Sequence, residues 1–151
     1  PHFANFGKRL IKAPKLYFHD TGLASFLLGI QNPAQLSTHA ARAALFETMI
    51  VGEFLRARWN CGEPSNLYFW RDSTGDEVDL VQDEAGTLRP VEIKSGQTIT
   101  RDYFKGLNKW FSIGGSALDT GRLVYGGDHF QSRTGFEVLS WRHITRLAET
   151  I

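Results

Sequence analysis

The sequence contains few of the residues on which disulfide, zinc and nucleotide-cofactor sites depend. A single cysteine, Cys61, excludes an internal disulfide framework and offers no zinc template. The five histidines show no paired helical spacing, so they form no zinc motif either. No Walker A sequence, dinucleotide-binding glycine motif or nucleophile elbow occurs. Carboxylates and lysines therefore remain as the candidate site residues.

Long apolar runs are also absent. No stretch approaches the roughly 20 residues that a membrane helix needs, so we expect a cytoplasmic protein without a membrane partner. The chain opens with Pro1 and has no charged and apolar leader, from which we expect a segment of a longer polypeptide. With 151 residues, 42% of them hydrophobic, it can bury the core of one globular domain.

The net charge is small, but the charged residues are unevenly distributed along the chain. The formal net charge is +1, yet residues 1–60 carry seven basic and three acidic side chains, and residues 101–151 carry seven and five. Residues 61–100 carry three basic and eight acidic side chains. An acidic centre in a basic frame suits a cation-binding site that faces a polyanion. Acidic surface turns would give the same charge pattern.

The apolar residues predict helices and strands arranged around one sheet. In an N-terminal unit, residues 1–36, we expect a strand at 15–19 and an apolar helix at 21–30 that begins after Asp20. The core, residues 37–151, begins with a long amphipathic helix at 40–59. The remaining predicted elements are three strands, a helix, two strands and a closing helix, at residues 67–70, 77–81, 88–94, 100–112, 122–125, 136–139 and 142–150. The order helix, three strands, helix, strand predicts an α/β domain with a mixed central sheet flanked by helices.

The second and third predicted strands form a hairpin whose register follows from the side-chain pattern. Pairing of apolar faces requires Val78 and Leu80 to lie on the same side as Val91 and Ile93. A two-residue turn at residues 85–86 satisfies this requirement. A three-residue loop would instead place an apolar residue opposite each charge.

In the preferred register two carboxylates face each other across the hairpin. Asp79 lies opposite Glu92, at roughly 5 Å between Cβ atoms, and Glu77 lies opposite Lys94. Such carboxylates repel unless a cation lies between them, and Mg²⁺ is often held by one or two carboxylates with water and phosphate. Lys94 could then orient or deprotonate an attacking water. A solvated surface ladder, with Glu77 paired to Lys94, is the alternative.

These residues also resemble a known superfamily. A helix carrying Glu47 (LFE), a strand carrying Asp79 (GDEVDLV) and the sequence EIK at residues 92–94 before a helix are similar to the PD-(D/E)xK nucleases. The resemblance implies a restriction-endonuclease-like core that uses Mg²⁺ or Mn²⁺. Asp79 and Glu92 would be metal ligands, Lys94 the catalytic lysine, and Glu47 a further ligand or water-positioning group. Val78 stands where the superfamily pattern has proline.

A narrower resemblance covers residues 8–141. The segments PKLYFHDTGL (14–23), LYFWRD (67–72) and VEIKS (91–95) resemble the uncharacterised C-terminal domain of prokaryotic AAA-type P-loop ATPases. The implied partners are an upstream ATPase domain of the same polypeptide and DNA, and the ATP site would lie outside this chain.

Three functions follow from these resemblances. The first is a nuclease-like domain of an ATPase that hydrolyses phosphodiester bonds with a metal ion. The second is a catalytically inert docking or regulatory module of the ATPase, and the third is a free-standing resolvase-like endonuclease. Lys105 and Lys109, on the outer side of the predicted helix at 100–112, are candidate phosphate contacts, although lysines in such positions also occur as plain solvated residues.

Overall fold

The computed structural model describes residues 14–114 and 120–144. In these two ranges the chain forms four α-helices, at Thr21–Leu27 (α1), Pro33–Thr38 (α2), Arg42–Asn60 (α3) and Lys105–Ser112 (α4). The six strands are Leu67–Arg71 (β1), Glu77–Glu84 (β2), Thr87–Lys94 (β3), Gly121–Tyr125 (β4), Gln131–Arg133 (β5) and Phe136–Ser140 (β6). Short 3₁₀ turns occupy Arg101–Phe104 and Trp141–His143. No helix among the described residues is long and apolar enough to cross a membrane.

The six strands form one mixed sheet in the order β1-β2-β3-β4-β6-β5. Strands β1, β2 and β3 are consecutive antiparallel neighbours. Strand β4 then pairs in parallel with both β3 and β6, and β5 pairs antiparallel with β6. The parallel β3–β4 pair requires a crossover connection, which contains α4. The predicted mixed sheet flanked by helices is confirmed.

Apolar side chains cover both faces of this sheet. On one face α3 contributes Ile50, Val51 and Phe54, which pack against strand residues Leu80, Val91, Ile93, Val124 and Leu139. On the other face α4 contributes Leu107 and Trp110, which pack against strand residues Trp70, Val78, Val81, Leu123, Tyr125 and Val138. Strands buried on both faces read as nearly continuous apolar runs, as β4 does. The middle of the sheet is thus the core of the domain.

The hairpin of β2 and β3 has the predicted register between its turn and the Leu80–Val91 pair, but the predicted pairs Asp79–Glu92 and Glu77–Lys94 do not form part of the ladder. Leu80 lies opposite Val91 and Glu84 opposite Thr87. The two-residue turn consists of Ala85 and Gly86, with φ of 52° and 90°. Positive φ at both central residues is the type I′ geometry that matches the twist of paired strands.

A bulge in β2 changes which face its residues occupy. Tyr68 of β1 pairs with Val81, but Trp70 pairs with Val78, so β2 carries one extra residue between these pairs. A bulge of this kind interrupts the alternation of faces. Val78 therefore packs on the α4 side while Leu80 packs on the α3 side. The prediction that these two residues share a face is wrong.

The N-terminal strand predicted at residues 15–19 is also wrong. Residues 14–19, here called the strap, run over the α3 side of the sheet without forming a strand. Their alternation comes instead from Lys15 and Tyr17 pointing inward while Leu16 and Phe18 are exposed. Helix α1 does begin after Asp20, whose Oδ1 accepts the Leu23 N–H at 2.9 Å, but it ends at residue 27 rather than 30.

The remaining predicted elements compare with the structure as follows. The helix expected at 100–112 consists of the 3₁₀ turn Arg101–Phe104 followed by α4. Strand β5 was not predicted, because Gln131–Arg133 has no apolar alternation. The closing helix at 142–150 lies largely outside the described residues. The proposed boundary at residue 36 falls inside α2, and the division into 1–36 and 37–151 stays a prediction.

Candidate functional site

The structure brings Asp79, Glu92 and Lys94 together near the open end of the β2–β3 hairpin. Both carboxylates are buried, each residue being 4% exposed. The Lys94 ammonium nitrogen lies 3.3 Å from Asp79 Oδ2 and 2.5 Å from Glu92 Oε1. A single positive charge therefore bridges carboxylates from two adjacent strands.

The bulge in β2 places the Asp79 side chain at the edge of the α3 side. The backbone pairing of β2 and β3 ends at Leu80 and Val91. Beyond this pair the Ile93 N–H donates to the Asp79 side chain instead, with 2.9 Å between nitrogen and Oδ2. This buried hydrogen bond holds the carboxylate in place. Bulges commonly re-aim a side chain in this way beside functional sites.

Glu47 approaches from α3. Its Oε1 accepts hydrogen bonds from the Lys15 ammonium at 2.9 Å and the Tyr17 hydroxyl at 2.7 Å. The same ammonium lies 3.5 Å from Asp79 Oδ1 and 3.9 Å from Glu77 Oε2. Lys15 thus links the helix carboxylate to those of β2. We name this group the carboxylate–lysine cluster, and its members are Lys15, Glu47, Glu77, Asp79, Glu92 and Lys94.

Glu77 does not pair with Lys94, in contrast to the predicted register position. Its Oε2 accepts from Arg71 Nε at 2.7 Å, across the β1–β2 pair. The solvated ladder of Glu77 and Lys94 is therefore not formed. The side-chain pattern of the hairpin identified Asp79, Glu92 and Lys94, and the superfamily resemblance added Glu47. Lys15 and Tyr17 were missed as site residues, because KLY was assigned to a predicted strand and to a family motif.

Burial controls the charge state of the cluster. The pKa of Glu92 is raised to about 7, chiefly by burial and then by the neighbouring Asp79 carboxylate, while the Lys94 ammonium opposes the shift. Burial alone would lower the pKa of Lys94, but the Asp79 and Glu92 carboxylates outweigh it, so the pKa of Lys94 is raised. The pKa of Lys15 is likewise raised, because Glu47 and Asp79 outweigh its burial. Both lysines are therefore charged at neutral pH.

Glycine at position 106 lets α4 approach the cluster. A β-carbon there would lie 2.7 Å from Glu92 Oε2 and would overlap the backbone carbonyl of Glu77. Contacts this short force a rearrangement, so the first turn of α4 depends on glycine. Burial of Glu92 between β3 and α4 follows from this close packing.

The two candidate phosphate contacts lie on the solvent side of α4. Lys105 Nζ is 2.8 Å from Asp102, and Lys109 Nζ is 3.5 Å from Asp76. Gly106, between the two lysines on α4, lies against Glu92 and the Glu77 carbonyl, so this helix carries both lysines next to the cluster. Both ion pairs lie at the surface, where such a pair contributes little stability.

The donor chemistry of the cluster fits a hard divalent cation. Carboxylate oxygens are the preferred ligands of Mg²⁺ and Mn²⁺, and Glu92 Oε2 is buried with no hydrogen-bond partner among the described residues. In the present arrangement ammonium groups lie between the carboxylates. Within residues 14–114 and 120–144, no three acidic, histidine or cysteine side chains gather closely enough to hold a metal ion.

Comparison with known proteins places these residues in a family. Two mycobacterial proteins, "Uncharacterized protein Mb2031c" of Mycobacterium bovis and "Uncharacterized protein Rv2008c" of Mycobacterium tuberculosis, are each 35% identical over 98 residues. The alignment covers 65% of this chain and 21% of each relative, so the chain spans about a fifth of their length. No solved structure matches. The family described as "Domain of unknown function (DUF4143)" matches residues 42–144, from α3 through the last 3₁₀ turn, and the chain belongs to this family.

Proposed function

We propose that this domain hydrolyses phosphodiester bonds of nucleic acid with Mg²⁺ or Mn²⁺, on a restriction-endonuclease-like core. The observation that carries the proposal is the meeting of two buried carboxylates, Asp79 and Glu92, on one ammonium group, that of Lys94. Glu92 Oε2 also supports it. This buried oxygen has no hydrogen-bond donor among the described residues, and a buried acceptor is normally satisfied by a donor or a cation. The order α3, three strands, α4, strand agrees with the implied core.

Asp79 and Glu92 would hold the metal ion, with Glu47 as a further ligand or as the group that positions water. The bound ion would supply positive charge to the phosphate and increase the acidity of water. Two features of the chain prepare Asp79 for this role. The Ile93 N–H fixes its orientation, and its burial keeps bulk water away from the charge.

Lys94 would act as a fixed positive charge rather than as a base. The pKa of Lys94 is raised by Asp79 and Glu92, so its ammonium keeps its proton at neutral pH. A protonated lysine donates hydrogen bonds to phosphate oxygens and stabilises the negative charge that develops there. Because Lys94 is partly exposed, with 31% of its side chain accessible, substrate can reach it.

A second candidate function is the inert docking or regulatory module of an ATPase. The observation in its favour is that Lys15 and Lys94 already neutralise much of the cluster without a metal ion. In this case the upstream ATPase domain of the same polypeptide would be the partner. Activity separates the two functions.

Cleavage assays on the 151-residue chain test the proposal. Single-stranded, duplex and branched DNA and RNA are incubated with Mn²⁺ or Mg²⁺ at low salt, with EDTA as the blank. We expect metal-dependent cleavage that Lys94→Ala lowers at least about a hundredfold, as for the loss of one transition-state donor.

Arg58→Ala is the matched control, because it removes a cationic side chain whose partners, the Glu63 carboxylate and the Pro64 carbonyl, lie beyond the end of α3 and outside the cluster. Its cleavage rate should equal that of the wild-type chain. If no substrate is cut in a Lys94-dependent manner, the nuclease function is wrong and the docking module remains.

A further inference from the structure

The Lys15 ammonium occupies a position that a free cation would favour. It lies 2.9 Å from Glu47 Oε1, 3.5 Å from Asp79 Oδ1 and 3.9 Å from Glu77 Oε2. These carboxylates come from α3 and β2, and the strap brings the Lys15 ammonium between them. Its side chain is 14% exposed. A typical surface ion pair joins one ammonium to one carboxylate, whereas the Lys15 ammonium lies within 4 Å of three carboxylates.

We propose that Lys15 is the resident cation of the carboxylate–lysine cluster, and that a divalent metal ion can bind only when the strap withdraws. This inference rests on the proposed function for the identity of the ion. An ammonium and a divalent ion within about 4 Å of the same carboxylates repel each other strongly in a partly buried site. The two cations therefore compete for Glu47 and Asp79, and Lys15 is a residue that limits metal access.

The strap is attached in a way that permits withdrawal. It forms no strand with the sheet, so its release breaks no backbone ladder in the described part of the chain. Its polar contacts are the two side-chain bonds to Glu47, the ion pairs of Lys15 and one bond from Arg56 to the His19 carbonyl at 3.2 Å. Its apolar contacts are the Tyr17 ring against the α3-side core and the His19 ring against Trp59. Leu16 is 87% exposed and contributes little burial. Because the strap is held by side chains and not by a backbone ladder, it can open without unfolding of the sheet.

Space adjoins the Lys15 side chain. A cavity of about 310 Å³ lies beneath the strap and is lined in part by Lys15, Tyr17, Phe69 and Asp79. Ions and water can therefore approach Asp79 from this side once the ammonium moves. Tyr17 reinforces the closed position, since its hydroxyl donates to the same Glu47 oxygen as Lys15.

Manganese binding tests the inference independently of catalysis. The free Mn²⁺ signal in electron paramagnetic resonance is titrated with wild type, Lys15→Met and Lys15→Arg. If the strap is withdrawn in roughly one molecule in a hundred, the apparent Mn²⁺ affinity of the wild type is about a hundredfold weaker than that of the open cluster. Lys15→Met should recover most of this hundredfold difference. Lys15→Arg keeps the charge and should stay close to wild type, as should the control Arg58→Met. The double variant Lys15→Met, Asp79→Asn should lose the gain.

Tyr17→Phe guards against misfolding of the Lys15 variants. It removes one donor to Glu47 but keeps the ring, so we expect an intermediate gain in Mn²⁺ affinity with unchanged near-UV circular dichroism.

The two proposals fail differently. Tighter Mn²⁺ binding by Lys15→Met without cleavage would support the inference and contradict the nuclease function. Equal affinity in wild type and Lys15→Met, or no binding by either, would overturn the inference.

Discussion

Glu92 is a buried carboxyl group whose pKa lies near neutral pH. It is buried between β3 and α4, one oxygen contacts Lys94, and the other has no partner among the described residues. Burial makes its charged form expensive, which is why its pKa rises to about 7. At neutral pH the residue therefore lies near the midpoint of its titration.

Replacement of Glu92 by glutamine should change how stability depends on pH. In the unfolded chain the carboxyl titrates near 4.5, and in the folded chain near 7. The folded state thus binds the proton more tightly, so wild-type stability should fall as pH rises from 4.5 to 7 and level off above. Glu92→Gln has no such titration, so relative to wild type it should gain on the order of 2–3 kcal/mol between pH 5 and 8.

Urea unfolding of both proteins in EDTA at pH 5 and pH 8 measures this difference. Lys94 keeps Asp79 as a partner in the variant, so the fold should persist. Parallel pH profiles for the two proteins would show that Glu92 does not titrate in this range.

The sequence allowed part of the cluster to be predicted at this scale. Asp79, Glu92 and Lys94 belong to one hairpin, where a short turn brings the two strands together in a predictable register. Lys15 reaches Glu47 over a separation of 32 residues, and no local pattern encodes that contact. The alternation at 15–19 was read as a strand, because a segment with buried and exposed alternate side chains has the same periodicity.

At the scale of elements, the bulge in β2 was the feature hardest to predict. Glu77, Val78, Asp79 and Leu80 alternate regularly in the sequence, so each apolar residue was assigned to one face. The interruption is set by the pairing with β1, where Trp70 takes Val78 as its partner. A bulge depends on both strands at once, and a pattern within a single strand does not contain it.

Two helical glycines in the structure should respond oppositely to alanine. Gly52 in α3 faces only the flexible end of Arg56, 3.2 Å from an added β-carbon, so Gly52→Ala should be neutral or gain up to about 1 kcal/mol from helix propensity. At Gly106 the added carbon meets the rigid Glu77 carbonyl, and overpacking of roughly 1–3 kcal/mol should outweigh that gain.

Thermal denaturation of the two variants provides the comparison. Gly106→Ala should melt several degrees lower than wild type, and Gly52→Ala should melt at or above it. A Gly106→Ala protein as stable as wild type would show that α4 can shift away from Glu92 without loss.

At the scale of the whole molecule, charge limits how nucleic acid can bind. The net charge is +1, and the acidic residues concentrate in the central segment that carries the cluster. Lys94, Lys105 and Lys109 are the described lysines on that side other than Lys15. Binding should therefore be weak and should depend on few phosphate contacts.

Salt titration of DNA binding tests this expectation. Three phosphate contacts predict a slope of log affinity against log salt of about −3 for duplex DNA. Lys105→Ala and Lys109→Ala should each reduce its magnitude by about one, while Arg58→Ala should leave it unchanged. Fluorescence anisotropy measures the slopes, and identical slopes in all four proteins would exclude Lys105 and Lys109 as contacts.

The order of helices and strands was predictable over most of the molecule, because long amphipathic helices and apolar strands have distinct periods. Strand β5 could not be predicted, because Gln131–Arg133 is polar and pairs along the edge of β6. The division of the apolar strand residues between the two faces of the sheet could not be predicted either. It depends on α4 packing opposite to α3, which is a property of the crossover between β3 and β4.

The tight turn at Ala85 and Gly86 has a consequence for how the domain assembles. Hairpins closed by two residues form within microseconds, well before contacts that span long loops. Asp79 and Glu92 therefore approach each other early, with only Lys94 at hand to offset their repulsion. Glu47 and Lys15 lie far away in the chain and arrive later. Docking of the strap then becomes a late event on the folding pathway, and the first contact to be lost when the domain begins to unfold.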